Sequence, residues 1–120
     1  MYYTREVRET YDMEVSLHTL TLLARVKARL QAIYGDRLGG VVLYGSEARG
    51  EAAPDSDIDL LVLLTSPVAL GRELRTIIAA LYPLQLEIER PLHAIPVDMH
   101  VYEAVEFALY RNAQREGIRV

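Results

Sequence analysis

The sequence predicts an α/β (α+β) fold: a small mixed β-sheet with helices packed on one face. Three observations support this fold class. The segment Val41 to Leu64 has the pattern of a strand, a Gly-Ser turn, a polar loop and a second strand. A helical repeat of apolar residues precedes this segment, and another follows it. The chain has 120 residues, of which 51% are hydrophobic, and this is enough to form one hydrophobic core. We therefore expect a single domain over residues 1–120.

The first predicted element is a helix from about Asp12 to Gly35. Asp12 is a suitable N-cap, and Gly35 is suited to end the helix in the left-handed conformation. Its apolar stripe consists of Val15, Leu22, Leu23, Val26, Leu30 and Ile33. This stripe is expected to pack against the sheet.

The first predicted strand, Val41 to Tyr44, consists of the β-branched, aliphatic and aromatic residues that suit a buried strand. Gly45 allows either a tight turn or a close approach of the backbone to a ligand. Ser46 is predicted to cap a short helix over residues 47–49. The unpaired amides at the start of such a helix predict a phosphate site.

Two aspartates open the second predicted strand, directly after a turn at residues 54–56. Asp57 and Asp59 share one face of that strand because side chains alternate along it. Two carboxylates about 7 Å apart repel each other unless a cation lies between them, and Mg²⁺ is the natural cation for oxygen ligands. In the alternative interpretation, Asp57 caps the turn and Asp59 is an ordinary polar residue on an exposed face.

The next predicted element is a helix that begins at Ser66 as N-cap, with Pro67 in its first turn, and ends near Pro83. Its apolar stripe consists of Leu70, Leu74, Ile77, Ile78 and Leu81. Such a crossover helix is expected to pack on the apolar face of the sheet.

The segment after this helix has two interpretations. In one, apolar and polar residues alternate from Leu84 to Glu89, which predicts a strand with Glu89 on the face of the two aspartates. In the other, the helix continues to Ile88 and a broken or edge strand begins at Ile95, because Pro91 and Pro96 disfavour a regular central strand. A helix from about Tyr102 to Glu116, stopped at Gly117, and a short extended tail are expected to follow.

Composition excludes several classes of function. The net charge of −4 argues against a general nucleic-acid-binding surface. No apolar run approaches the ~20 residues that would cross a bilayer, and no leader pattern follows Met1, so no membrane association is expected. The absence of cysteine excludes thiolate chemistry and fits a cytoplasmic location.

The motifs also resemble a known family. Gly45-Ser46, followed after ten residues by Asp57-Ile58-Asp59, resembles the signature of nucleotidyltransferases related to DNA polymerase beta. The longer string GSEARGEAAPDSDIDLLV is similar to the minimal nucleotidyltransferases, which are often encoded beside a HEPN-domain protein. The resemblance implies the polymerase beta-like nucleotidyltransferase fold.

The resemblance also implies a nucleotide site. Asp57 and Asp59 would hold Mg²⁺ or Mn²⁺, while Gly45 and Ser46 would bind the phosphates of ATP. Arg49 either contacts the triphosphate or is a structural partner of an aspartate in the polar loop, Asp55 or Asp57.

Members of this family usually have a third carboxylate on a neighbouring strand, which acts as a general base or as a metal ligand. In one alignment Glu89 takes that place, and in another Asp98 does, as a catalytic residue and metal ligand. A third possibility is that there is no such carboxylate. Asp98 has the further alternative of capping the last helix.

The resemblance implies an enzyme that transfers AMP from ATP to a hydroxyl. The acceptor it suggests is a tyrosine of a partner HEPN toxin, with this chain as the antitoxin. Either such a partner or a second copy of the chain is expected to hold the acceptor, because no acceptor-binding domain is recognisable. The alternative is an antitoxin-like protein without catalysis, which neutralises its partner by contact. The predicted contact surface includes Tyr102, Phe107, Tyr110 and a nearby stripe of arginines.

Overall fold

A computed structural model of the protein describes residues 17–53, 55–105 and 107–120. The helices are α1 (Leu17–Tyr34), α2 (Gly45–Ala48), α3 (Leu70–Gln85), α4 (Met99–Glu103) and α5 (Ala108–Glu116), and the strands are β1 (Leu38–Tyr44), β2 (Ile58–Leu64), β3 (Leu92–Asp98) and β4 (Ile118–Arg119). The predicted N-cap Asp12, the stripe residue Val15 and the turn residue Pro54 lie outside the described residues.

The strands form one four-stranded sheet in the order β3-β2-β1-β4. Strand β1 is antiparallel to both β2 and β4, whereas β2 is parallel to β3. The parallel pair is connected through α3, as a parallel pair requires a crossover. The predicted small mixed sheet is therefore confirmed.

The main core lies between one face of the sheet and the two long helices, as predicted. Strand β2 contributes Ile58, Leu60, Val62 and Leu64 to it, which alternate with residues of the other face. From α1 the row Leu22, Leu23, Val26 and Leu30 is buried, but Ile33 is 52% exposed. Tyr34, four residues after Leu30, continues the buried row in its place.

The buried row of α3 also differs from the predicted stripe. It consists of Glu73, Ile77, Ala80, Leu81 and Leu84, whereas Leu70 and Ile78 are exposed. Glu73 is tolerated in this row because its carboxylate accepts hydrogen bonds from Tyr34, the last residue of α1, and from Arg37 in the turn that follows. Burial, together with the bond to Glu73, raises the pKa of Tyr34 to about 12.

The boundaries of α3 correct two predictions. Ser66 is not its N-cap, because the helix begins at Leu70 after Ala69, and the Ser66 hydroxyl instead donates to Asp98. Pro83 does not end the helix, which runs on to Gln85. A proline in the last turn removes one backbone hydrogen bond. The helix nevertheless continues, because its continuation buries Leu84 in the core.

The strand predicted from Leu84 to Glu89 is therefore wrong. Leu84 is buried in the core as a helical residue, whereas Leu86 is 68% exposed in the turn that follows. The alternative is closer, but its helix ends before Ile88 and β3 begins at Leu92, before Ile95. Strand β3 lies at the edge of the sheet, where its Pro96 is tolerated.

The other face of the sheet carries a smaller cluster beneath the short helices α4 and α5. Val42, Leu61, Leu63 and Val97 from the sheet pack there against Tyr102 and Ala113. The single helix predicted from Tyr102 to Glu116 is instead two helices. The chain turns between them at Val105, whose φ of 50° interrupts a right-handed helix. The predicted extended tail is confirmed, and it pairs with β1 as β4.

None of the helices in the described ranges is long and apolar enough to cross a bilayer. The cytoplasmic location expected from the sequence stays a prediction.

Candidate active site

Two carboxylates and one imidazole converge at the start of β2. Asp57 lies directly before the strand, and Asp59 is its second residue. The parallel pairing of β2 with β3 places His93 opposite Asp59. Ligand atoms of Asp57, Asp59 and His93 all lie within 4.8 Å of one another. The two aspartates thus lie close together, as predicted, and His93 is the third member of the cluster.

The Gly-Ser turn lies against the same carboxylate. Tyr44, the last residue of β1, is the antiparallel partner of Asp59. The next residue, Gly45, has a φ of 76°, and a Cβ atom placed on it would lie 3.0 Å from Asp59 Oδ2. Only glycine combines this conformation with this approach at little cost. The turn and the aspartate therefore form one continuous site.

Helix α2 begins at Gly45, so Ser46 lies inside it and does not cap it as predicted. The Ser46 hydroxyl makes no hydrogen bond within the described ranges of the chain. With only four residues, α2 has a small dipole, and any phosphate would be bound by the turn's individual amides and this hydroxyl. The turn is closed by a hydrogen bond of 2.8 Å from the Glu51 amide to the Ser46 carbonyl.

Arg49 has carboxylate partners other than those considered from the sequence. It donates to Glu51 at 2.7 Å and to Glu116 at 3.4 Å, and it contacts neither Asp55 nor Asp57. The hydrogen bond that Arg49 donates to Glu51 raises the pKa of Arg49. The Arg49 side chain is 41% exposed, so it is accessible to a ligand. Its contact with a triphosphate stays a prediction.

The structure does not bring Asp98 to the two aspartates. Asp98 pairs with Leu64 at the far end of the parallel ladder, five residues from the level of Asp59 and His93, or about 16 Å along the strands. Its Oδ1 atom accepts from the amides of His100 at 2.8 Å and Val101 at 3.3 Å. The hydroxyl of Ser66 and these amides lower the pKa of Asp98. The helix-cap alternative is the one that the structure has.

Glu89 is not beside the aspartates either. It precedes β3 and lines a cavity of about 410 Å³ together with Leu22 and Ile58. Ile58 belongs to the main core, so this cavity lies on the face of the sheet opposite to Asp59. The strand that would have turned Glu89 toward Asp59 does not exist, because β3 starts three residues later.

Two neighbours of Asp59, His93 and Tyr44, are not among the predicted site residues. His93 lies beside Asp59 because of the register of β3 on β2. Tyr44 is predicted only as a strand residue, and its antiparallel pairing places it opposite Asp59. Burial raises the pKa of Tyr44, and the negative charge of Asp59 and the nearby Tyr110 add to this effect. Pairing the end of the first predicted strand antiparallel with the start of the second would have placed Tyr44 opposite Asp59.

The distances predict a difference among the carboxylates. We expect Asp98→Asn and Glu89→Gln to bind Mn²⁺ as tightly as the wild type, because neither side chain lies at the cluster. An asparagine also caps a helix almost as well as an aspartate. Titration calorimetry with MnCl₂ measures this directly. A loss of Mn²⁺ affinity in the Asp98 variant would mean that Asp98 reaches the cluster in solution.

Comparison with known proteins supports the family suggested by the motifs. Residues 23–120 match the family described as nucleotidyltransferase domain. A protein of Methanocaldococcus jannaschii, provisionally named a protein adenylyltransferase, is 32% identical over 73 residues, which cover 60% of this chain and 74% of that relative. The residues that match the family, 23–120, include the Gly-Ser turn, both aspartates and His93. Most of the chain is matched, and the motif residues lie together where β1 ends and β2 begins. This chain therefore belongs to the nucleotidyltransferase domain family.

Proposed function

We propose that the protein transfers AMP from ATP to a hydroxyl group of another protein, with a divalent metal ion held by Asp57, Asp59 and His93. The observation that carries this proposal is the contact between the Gly45 turn and Asp59. In this proposal the turn binds phosphates and the adjacent carboxylates bind a cation, and nucleotidyl transfer requires both at the α-phosphorus.

The donor set fits a divalent ion. Asp57 and Asp59 offer carboxylate oxygens, and His93 offers an imidazole nitrogen, with all three ligand atoms within 4.8 Å of one another. Carboxylates suit Mg²⁺ and Mn²⁺, whereas imidazole favours the first-row transition metals. When bound, such an ion neutralises the triphosphate and lowers the pKa of the attacking hydroxyl.

The chain's own groups then have separate tasks. The amides of the Gly45 turn and the Ser46 hydroxyl bind the β- and γ-phosphates, and the exposed Arg49 adds a cation. The two aspartates and His93 would hold the metal ion. The acceptor oxygen bonds to the α-phosphorus while the bond to pyrophosphate breaks, and the proton of the acceptor hydroxyl is released to water.

For the acceptor we propose a tyrosine of a HEPN toxin, with this cytoplasmic protein as its antitoxin. The support is the similarity of the motif string to minimal nucleotidyltransferases and the provisional name of the archaeal relative. Phe107 is 56% exposed and Leu109 is 44% exposed beside the site face, so both are available to a partner. Tyr102, predicted for this surface, is buried and is not available.

Co-expression with a HEPN protein encoded alongside, followed by intact-mass measurement of that partner, tests the proposal. We expect the partner to gain the mass of one or more AMP groups, and Asp57→Asn to abolish the gain. A tight complex with no mass change, in which Asp57→Asn still neutralises the partner, would favour the alternative of neutralisation by contact.

The histidine at the third position predicts a metal preference. We expect the wild type to bind Mn²⁺ at least 10-fold more tightly than Mg²⁺, and His93→Asp to narrow that gap by improving Mg²⁺ binding, since a hard oxygen replaces nitrogen. His100→Asp is the matched control, because His100 is an exposed histidine in α4, at the far end of β3. If the difference between the Mn²⁺ and Mg²⁺ affinities became smaller by the same factor in both variants, His93 would be excluded as a ligand.

A further inference from the structure

An ion pair with little solvent exposure lies next to the candidate site. Glu47, in α2, is only 7% exposed. Its Oε1 atom is 2.7 Å from Nη2 of Arg90, and its Oε2 atom accepts a hydrogen bond of 2.8 Å from the Thr19 hydroxyl of α1. A buried carboxylate requires such partners, so Glu47 and Arg90 depend on each other.

The same guanidinium also binds the backbone just before β2. Nε of Arg90 donates to the Ser56 carbonyl at 2.8 Å, and Nη2 approaches the Ser56 hydroxyl at 3.3 Å and the Asp57 carbonyl at 3.4 Å. Arg90 therefore connects α2, which starts at the Gly-Ser turn, with Asp57 itself. The planar fork of arginine donors makes these simultaneous contacts possible.

Arg90 is itself held in place from both sides. The Gln85 side chain, at the end of α3, donates to the Arg90 carbonyl at 3.0 Å and accepts from the Leu92 amide at 2.7 Å. The next residue, Pro91, accepts a hydrogen bond of 2.8 Å from the amide of Ile58. The backbone on both sides of Arg90 is thereby fixed to α3 and to the start of β2.

We propose that Arg90, paired with Glu47, is a positioning residue that fixes Asp57 relative to the Gly-Ser turn. This inference rests on the proposed function, in which Asp57 is a metal ligand. Asp57 is exposed and lies directly before β2, where the first hydrogen bond to the neighbouring strand is the one from the Ile58 amide to Pro91. The contacts of Arg90 with the Ser56 and Asp57 carbonyls add to this constraint on the backbone of Asp57. Metal ligands need their geometry held by surrounding hydrogen bonds, and loss of such a contact typically weakens metal binding 10–100-fold.

Two variants separate positioning from general stability. Arg90→Lys keeps a positive charge opposite Glu47, but a single ammonium cannot reproduce the fork to Ser56 and Asp57. The double variant Glu47→Leu/Arg90→Met removes both charges, and replacement of a buried pair by apolar residues is often neutral for stability. The single variant Arg90→Met leaves Glu47 buried without its cation and serves as the destabilised reference.

The experiment measures Mn²⁺ affinity by calorimetry and thermal unfolding on the full chain. We expect Arg90→Lys and the double variant to unfold near the wild-type temperature but to bind Mn²⁺ about 10–100-fold more weakly. Arg25→Gln is the matched control, because Arg25 forms an exposed two-pronged pair with Glu87, at 2.9 Å for each bond. Its Mn²⁺ affinity is expected to equal that of the wild type.

The outcomes distinguish this inference from the proposed function. If the wild type bound no Mn²⁺, the proposed metal site would fail, and the role of Arg90 with it. If the wild type bound Mn²⁺ and both folded Arg90 variants bound it equally well, the positioning role would be overturned while the metal site stood.

Discussion

Asp59→Asn is expected to abolish metal-dependent ATP binding, and Asp57→Asn to remove most of it. Asparagine preserves the shape of the side chain but deletes one anionic ligand, and a hard divalent cation binds the neutral amide far more weakly. Asp59 should be the more sensitive because it contacts both halves of the site, Gly45 on one side and His93 on the other. A loss on the order of 100-fold corresponds to about 2.7 kcal/mol of binding free energy.

Calorimetry with ATP, in the presence of MnCl₂ or of excess EDTA, measures this loss. Asp36→Asn is the matched control for net charge. Asp36 is exposed in the turn before β1, at the end of the sheet opposite to the site. Its affinity for Mn²⁺ and ATP should equal that of the wild type. Unchanged metal-dependent affinity in both the Asp57 and Asp59 variants would remove these carboxylates from the metal site.

The central unit could be predicted from the sequence because its determinants are local. The apolar strand that ends at Tyr44, the glycine that follows it and the alternation from Asp57 onward are all properties of neighbouring residues. The local pattern gave a wrong prediction after Pro83, because a proline disfavours the continuation of a helix. The helix continues there because it places Leu84 in the core, which is a tertiary effect that overrides propensity.

The third member of the cluster could not be predicted from local pattern. Which residue of β3 lies beside Asp59 depends on the register of a parallel pair separated by a long helix. A shift in that register would bring another residue to the site, and resemblance alone pointed to Glu89 or Asp98. The structure aligns His93 there and leaves Asp98 to cap α4.

The Gly-Ser turn leads to the second prediction of a large effect. Gly45→Val is expected to abolish ATP binding, for two reasons that act together. A β-branched residue is strained at a φ of 76°, and its Cβ would lie 3.0 Å from Asp59 Oδ2, which displaces a proposed metal ligand. The side chain would also occupy the space from which the turn's amides approach a phosphate.

Gly35→Val separates these two causes. Gly35 also has a positive φ, 55°, but no atom lies within 4 Å of a Cβ placed on it. Both variants should therefore lose stability through backbone strain, by about 1–2 kcal/mol or more for a β-branched residue. Only Gly45→Val should lose ATP binding, measured by calorimetry at a temperature where circular dichroism shows both variants folded. Normal ATP affinity in folded Gly45→Val would show that the nucleotide does not depend on this turn, whereas equal losses in both variants would trace the effect to strain alone.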